Sequence, residues 1–193
     1  LSFDRSAELA MWSGYDAICG VSEQGSRSFR TVFPELSNQV QTVENILPKE
    51  LIAKQAEQPQ TDIPSDGAIK ILSVGRFCDA KNFDNVPDIC RRLVKDGLNV
   101  KWYLSGYGGD EPLIRQKITE AGMQERVIIL GKKNNPYPYM RACDLYVQPS
   151  RYEGKAVTVR EAQLLGKPVV ITNYATSASQ LEDGADGVIV PMD

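Results

Sequence analysis

Apolar residues in this chain gather into short runs separated by amphipathic stretches, and from residue 69 onward the alternation is regular. Strand-like runs fall at 69–74, 99–105, 127–130, 144–148, 168–172 and 187–190. Helix-like stretches lie between them at about 86–96, 110–121, 136–142, 157–166 and 176–182. In the first of these, Val86, Ile89, Cys90, Leu93 and Val94 recur at i, i+3, i+4, i+7 and i+8, which makes one apolar face. Asn85 is the expected cap of that helix, with Pro87 in its first turn. Strands alternating with single helices imply right-handed crossovers and a parallel sheet covered on both faces. The predicted class is therefore α/β, a doubly wound parallel sheet.

Upstream the pattern is looser. It predicts a helix over 4–13, a strand over Asp16–Val21, a helix over 23–32 capped by Ser22, an apolar run from Val40 to Leu47, and a helix from Lys49 to Glu57. Residues 58–67 (Gln-Pro-Gln-Thr-Asp-Ile-Pro-Ser-Asp-Gly) have linker composition, so a domain boundary is expected there. Leu1 already lies in a helix-like pattern, and Pro191-Met192-Asp193 directly follows a strand-like run. The expectation is a piece of a larger protein.

The 193 residues are 42% hydrophobic and 24% charged, as in ordinary globular domains. A net charge of −3 argues against a nucleic-acid partner, so any positive site must be local. No apolar run approaches a membrane span, and no signal peptide is visible. Cys19, Cys78, Cys90 and Cys143 lack metal-like spacing and read as small apolar residues in a reducing cytoplasm. Histidine is absent, which removes a His-based triad and leaves acid–base chemistry to carboxylates or to the substrate.

Ligands of such sheets collect at the carboxyl ends of the strands. The first such loop, Gly75-Arg76-Phe77-Cys78-Asp79-Ala80-Lys81-Asn82, offers Arg76 and Lys81 for one anion and Gly75 for close backbone approach. Alone, the two cations read first as solvated surface charges. The second loop, from Gly106 to Glu111, fails as a dinucleotide fingerprint because Glu111 stands at the third glycine position. Gly106 reads either as a turn beside a ligand or as a structural turn. The third loop contains Lys133, and Tyr137 and Tyr139 follow it at the helix start. The fourth carries Glu153 and Glu161, eight positions apart, with Gly154, Lys155, Ala156 and Val157 between them. Amides at that helix start favour an anion, and paired carboxylates suit the vicinal hydroxyls of sugars.

These residues resemble the retaining, GT-B-fold glycosyltransferases of family 4, also called group 1. The family's E-x7-E signature is similar to Glu153 through Glu161, and its Gly-Arg…Lys loop to Gly75-Arg76…Lys81. Asp144-Leu145-Tyr146-Val147-Gln148-Pro149-Ser150, Gly166-Lys167-Pro168-Val169-Val170 and Gly184…Gly187-Val188-Ile189-Val190 also match. The resemblance is strong from about 69 to 193 and looser from 14 to 52. It implies a Rossmann-like donor domain over 68–193, truncated before its last helices, and an acceptor-domain tail over 1–57.

Carried over, it implies that Arg76 and Lys81 neutralise the departing diphosphate, Glu153 contacts the transferred sugar and Glu161 the ribose. Amides of Ala156 and Val157 would hold phosphate oxygens, and the backbone near Lys133 would read the base. Gly75, Gly106, Gly154 and Lys155 complete the expected donor site. The implied reaction moves a hexose from a nucleotide sugar, a UDP-sugar foremost, to a hydroxyl of a saccharide or lipid-linked acceptor, without metal or cofactor. The implied setting is cytoplasmic, with peripheral membrane association through the missing half. One departure is Lys155-Ala156, where the family commonly has Phe-Gly; it resembles a branch making bacterial surface polysaccharides and leaves the sugar open. A non-catalytic nucleotide- or anion-binding module of the same fold is the alternative.

Overall fold

The computed structural model describes residues 3–192. The chain forms two compact units, Leu1–Ile46 and Leu47–Asp193. In the first, α1 (Arg5–Trp12), β1 (Ile18–Gly20), α2 (Glu23–Val32) and β2 (Val40–Thr42) surround Ile18, Phe33, Leu36 and Val40. Ser22 caps α2 as expected, its hydroxyl accepting the Gly25 amide at 3.1 Å. The apolar run from Val40 is strand only to Thr42, because its parallel partner β1 ends at Gly20. Val43 and Ile46 are exposed beyond it.

The second unit holds α3 (Lys49–Ala56) and a six-stranded parallel sheet. Its strands are β3 (Ile69–Val74), β4 (Val100–Ser105), β5 (Val127–Gly131), β6 (Leu145–Gln148), β7 (Val169–Thr172) and β8 (Val188–Val190), in the order β5-β4-β3-β6-β7-β8. The helices between them are α4 (Val86–Lys95), α5 (Glu111–Glu120), α6 (Tyr137–Ala142) and α7 (Val157–Leu164). Alternate strand residues enter opposite layers, as the pleat requires. Ile71, Trp102 and Val147 pack with α4 and α5, whereas Leu72, Tyr103 and Tyr146 pack with α6 and α7. The doubly wound α/β class is thus observed.

The compact units divide at Ile46/Leu47, and α3 buries Ile52 and Ala56 and packs on α6 and α7. Two local expectations are corrected. The stretch 176–182 forms only a 3-10 turn at Ser177–Ser179. Its Ser and Thr hydroxyls bond to backbone carbonyls, Ser179 to Thr176 and Thr176 to Glu153, which competes with helix formation. Asn85 is helical rather than extended and makes no cap bond; its side-chain amide donates to Asn82 Oδ1 at 2.6 Å.

The strand order places the site. From β3 the chain winds outward through β4 and β5, then crosses back to lay β6 on the other side of β3. The loops leaving β3 and β6 therefore diverge, opening a crevice at their carboxyl ends.

Candidate functional site

At this crevice the β3 loop meets the β6 loop. Lys81 Nζ pairs with Glu153 Oε1 at 2.5 Å, a contact 72 residues apart in sequence. Gly75 makes room for it, since a Cβ there would stand 3.3 Å from Lys81 Cδ and Cε. Arg151 ties the two loops together. Its amide donates to Ala80 O at 2.9 Å, and its guanidinium grips both carboxylate oxygens of Asp84 at 3.0 and 2.9 Å. Burial works against the charge of Asp84, but the Arg151 bonds prevail and hold its carboxyl below the ordinary range. Arg151→Ala is expected to cost about 1–3 kcal/mol, because it leaves a half-buried carboxylate unpaired. Urea unfolding measures this.

Behind Glu153 lies a buried polar chain. Ser150 Oγ donates to Glu153 Oε1 at 2.7 Å, and Gln148 Nε2 reaches both Ser150 Oγ at 2.9 Å and Glu153 Oε1 at 3.3 Å. Gln148 Oε1 accepts from Tyr146 OH at 2.9 Å. The backbone of the acidic loop is held from the end of β7 and the segment after it: Thr172 Oγ1 donates to Ser150 O and Thr176 Oγ1 to Glu153 O. Gln180 clamps Ala156 from both sides, accepting its amide at 2.9 Å and donating to its carbonyl at 3.2 Å.

That clamp corrects one expectation. The Ala156 amide, assigned to a phosphate, is already donated to the buried Gln180 side chain. Ala156 instead sets the start of α7, which begins at Val157. Gly154 is exposed and Lys155 half-buried in the loop before it.

Glu161, in the second turn of α7, accepts from Tyr137 OH at 2.8 Å. Burial raises the Glu161 carboxyl above its ordinary value, with the Tyr137 bond opposing. Burial, followed by the Glu161 bond, pushes the Tyr137 phenol up to about 12. Burial also raises Tyr146, and the charges of Glu161 and Glu153 both add to the effect. Glu153 reaches the same phenol through Gln148, while Glu161 stands on α7 against Tyr137.

A cavity of about 300 Å³ opens beside it, lined by Gly75, Arg76, Gly106, Lys132, Lys133 and Pro136 among others. The structure thus brings Gly75, Arg76, Gly106 and Lys133 together at the ends of β3, β4 and β5. Arg76 lines this cavity, whereas Lys81 of the same loop is paired with Glu153. Gly106 is required for close packing, because a Cβ would stand 1.8 Å from Gly75 O. The Lys133 ammonium turns to Asp62 at 2.8 Å and lies over the Tyr139 ring. A larger cavity of about 630 Å³ lies on the α4 side of the sheet, among Ile71, Leu93, Leu145 and Val170. It is mostly apolar, and only its rim at Asn82, Pro149 and Thr172 adjoins the strand-end cluster, so size alone does not assign it the chemistry.

Sequence reasoning missed Arg151, Asp84, Gln148, Thr176 and Gln180 as parts of this site. Spacing gave one usable signal: Thr172, Thr176 and Gln180 stand at i, i+4 and i+8 directly after an apolar strand.

Residues 54–193 match the family described as Glycosyl transferases group 1, and the chain belongs to that family. It is 27% identical over 136 residues to the lipopolysaccharide core biosynthesis glycosyltransferase LpsE of Rhizobium meliloti, covering 70% of this chain and 38% of that protein. It is 32% identical over 124 residues to the N-acetylgalactosamine-N,N'-diacetylbacillosaminyl-diphospho-undecaprenol 4-alpha-N-acetylgalactosaminyltransferase of Campylobacter jejuni, covering 64% and 33%. The chain therefore spans little more than a third of the length of these relatives. Among solved structures it is similar to Anabaena HepE in complex with UDP, with a TM-score of 0.82 and 19% identity, covering 98% of this chain and 54% of that one. This likeness shows the shared fold, that of a GT-B Rossmann-like domain.

Proposed function

We propose that this chain is the donor-binding half of a retaining glycosyltransferase of family 4, which transfers a hexose from a uridine diphosphate sugar to a hydroxyl acceptor. The observation that carries this reading is the meeting of Lys81 with Glu153 at the strand crossover, in the loop whose Gly75 and Arg76 line the adjoining cavity. Arg76 and Lys81 oppose charge that develops on the departing diphosphate, aided by the amides opening α7. The C1–O bond to the β-phosphate breaks as the C1–O bond to the acceptor forms, and the acceptor proton passes to the leaving diphosphate. Glu153 accepts from hydroxyls of the sugar, Glu161 from the ribose, and the backbone near Lys133 faces the base. With these cations in place the reaction needs no metal. The UDP in the HepE complex and the lipopolysaccharide role named for LpsE support UDP as carrier and a bacterial surface glycan as product. The acceptor is a saccharide or lipid-linked saccharide, supplied across the cleft by the other half of the fold. Among the described residues no helix is long and apolar enough to cross a membrane; a cytoplasmic enzyme that meets the membrane peripherally suits such acceptors.

Calorimetric titration with UDP, GDP and ADP tests the reading. UDP is expected to bind most tightly, and binding of all three no better than inorganic phosphate would contradict it.

A further inference from the structure

Lys81 and Glu153 are restrained very differently. The Glu153 carboxylate receives Ser150 Oγ and Gln148 Nε2 as well as Lys81, all three on Oε1. Gln148 and Ser150 are fully buried, and Gln148 Oε1 is itself occupied by Tyr146 and Thr158 hydroxyls at 2.9 and 3.4 Å. The Glu153 carbonyl is anchored by Thr176 at 2.8 Å. Lys81, in contrast, reaches Glu153 with a long flexible stem that crosses Gly75 beside the Phe83 ring. The same Gly75 borders the Arg76 cavity.

A carboxylate that keeps two neutral donors in a buried setting can lose its counterion without losing its place. A lysine beside an entering diphosphate gains a second and more highly charged anion within reach.

We propose that Lys81 is an exchangeable counterion, paired with Glu153 in this structure and passed to the diphosphate when a donor binds. Ser150 and Gln148 are positioning residues that keep Glu153 aimed while Lys81 leaves. The inference rests on the donor-site reading and deepens it: the diphosphate frees Glu153 for the sugar, so sugar recognition follows phosphate recognition. UDP lacks the sugar, so a Glu153 that only contacts sugar should not affect UDP affinity at all. An exchanging Lys81 makes Glu153 a competitor of UDP.

Titrating UDP into the full chain and its Glu153→Gln, Lys81→Gln and doubly substituted forms separates these cases. Glu153→Gln is expected to bind UDP at least about 5-fold more tightly, the lower end of ordinary coupling between sites. That gain should vanish in the Lys81→Gln background. Equal or weaker binding by Glu153→Gln, or a gain that persists without Lys81, overturns the exchange. Should Glu153→Gln fail to fold, Ser150→Ala decides: removing one donor makes Glu153 hold Lys81 harder, so UDP binds about 3-fold more weakly. Unchanged affinity in Ser150→Ala overturns the proposal. A parent chain that does not bind UDP removes the donor site itself, a result distinct from a parent that binds and a variant that gains nothing.

Discussion

Lys81→Ala lowers sugar transfer by about 10²–10³-fold in a full-length transferase carrying this domain, the usual cost of removing one preorganised group from developing negative charge. The lysine joins the β3 loop to the β6 loop, and its side chain is only 20% exposed. Its charge is therefore weakly screened, and water replaces it poorly. Arg76 is more exposed and lines the adjoining cavity, so Arg76→Ala has a smaller effect on rate. Initial rates with a radiolabelled UDP-sugar measure both variants. A loss below tenfold for Lys81→Ala removes its assignment to the leaving group.

Glu161→Ala weakens UDP binding by about 10–100-fold, the equivalent of charge-assisted hydrogen bonds worth 1.5–3 kcal/mol. The Tyr137 hydroxyl fixes the carboxylate from one side. The effect has a pH signature. Burial raises the Glu161 pKa above its ordinary 4.5, so the group protonates at a higher pH than an exposed glutamate. UDP affinity therefore falls as pH drops through that raised value, where the acceptor charge is lost. Stability moves the other way. Above 4.5 the folded chain retains a proton the unfolded chain has released, so this contribution is present at low pH and is lost as pH rises through the raised value. Glu161→Gln binds UDP weakly, with the acid limb gone from both profiles. Calorimetry and thermal melts across the acidic range check it.

The sheet was legible because each strand is a short apolar run between polar punctuation, and the pleat sends its alternate residues into two layers. The strand ends, and hence the loops worth reading, followed directly. Glu153 stood out beside Gly154 in the loop after a strand, and Glu161 by its eight-residue spacing from it, whereas Lys81 gained weight only next to that pair. Their pairing was not legible. Lys81 meets Glu153 across 72 residues and Arg151 meets Asp84 across 67, and nothing local encodes such contacts. Gln148 was hidden inside a strand-like run, where a polar residue looks like noise until its partners are known. The 176–182 stretch has helical spacing, yet its hydroxyls and Gln180 bond to the acidic loop, so tertiary demand overrode local preference. Asp62 and Gln58 lie in a stretch of linker composition, yet they bond to Lys133 and Asn135, contacts that nothing local encodes.

The central claim is that one crevice at the carboxyl ends of β3, β4, β5 and β6 receives the nucleotide diphosphate. Amide chemical-shift mapping of the isotope-labelled chain during UDP titration tests it most directly. Saturable shifts are predicted in residues 75–81, 131–137 and 153–161, with the α4-side cavity silent. Shifts centred on Leu93, Leu145 and Val170, with those three loops unmoved, would contradict the account.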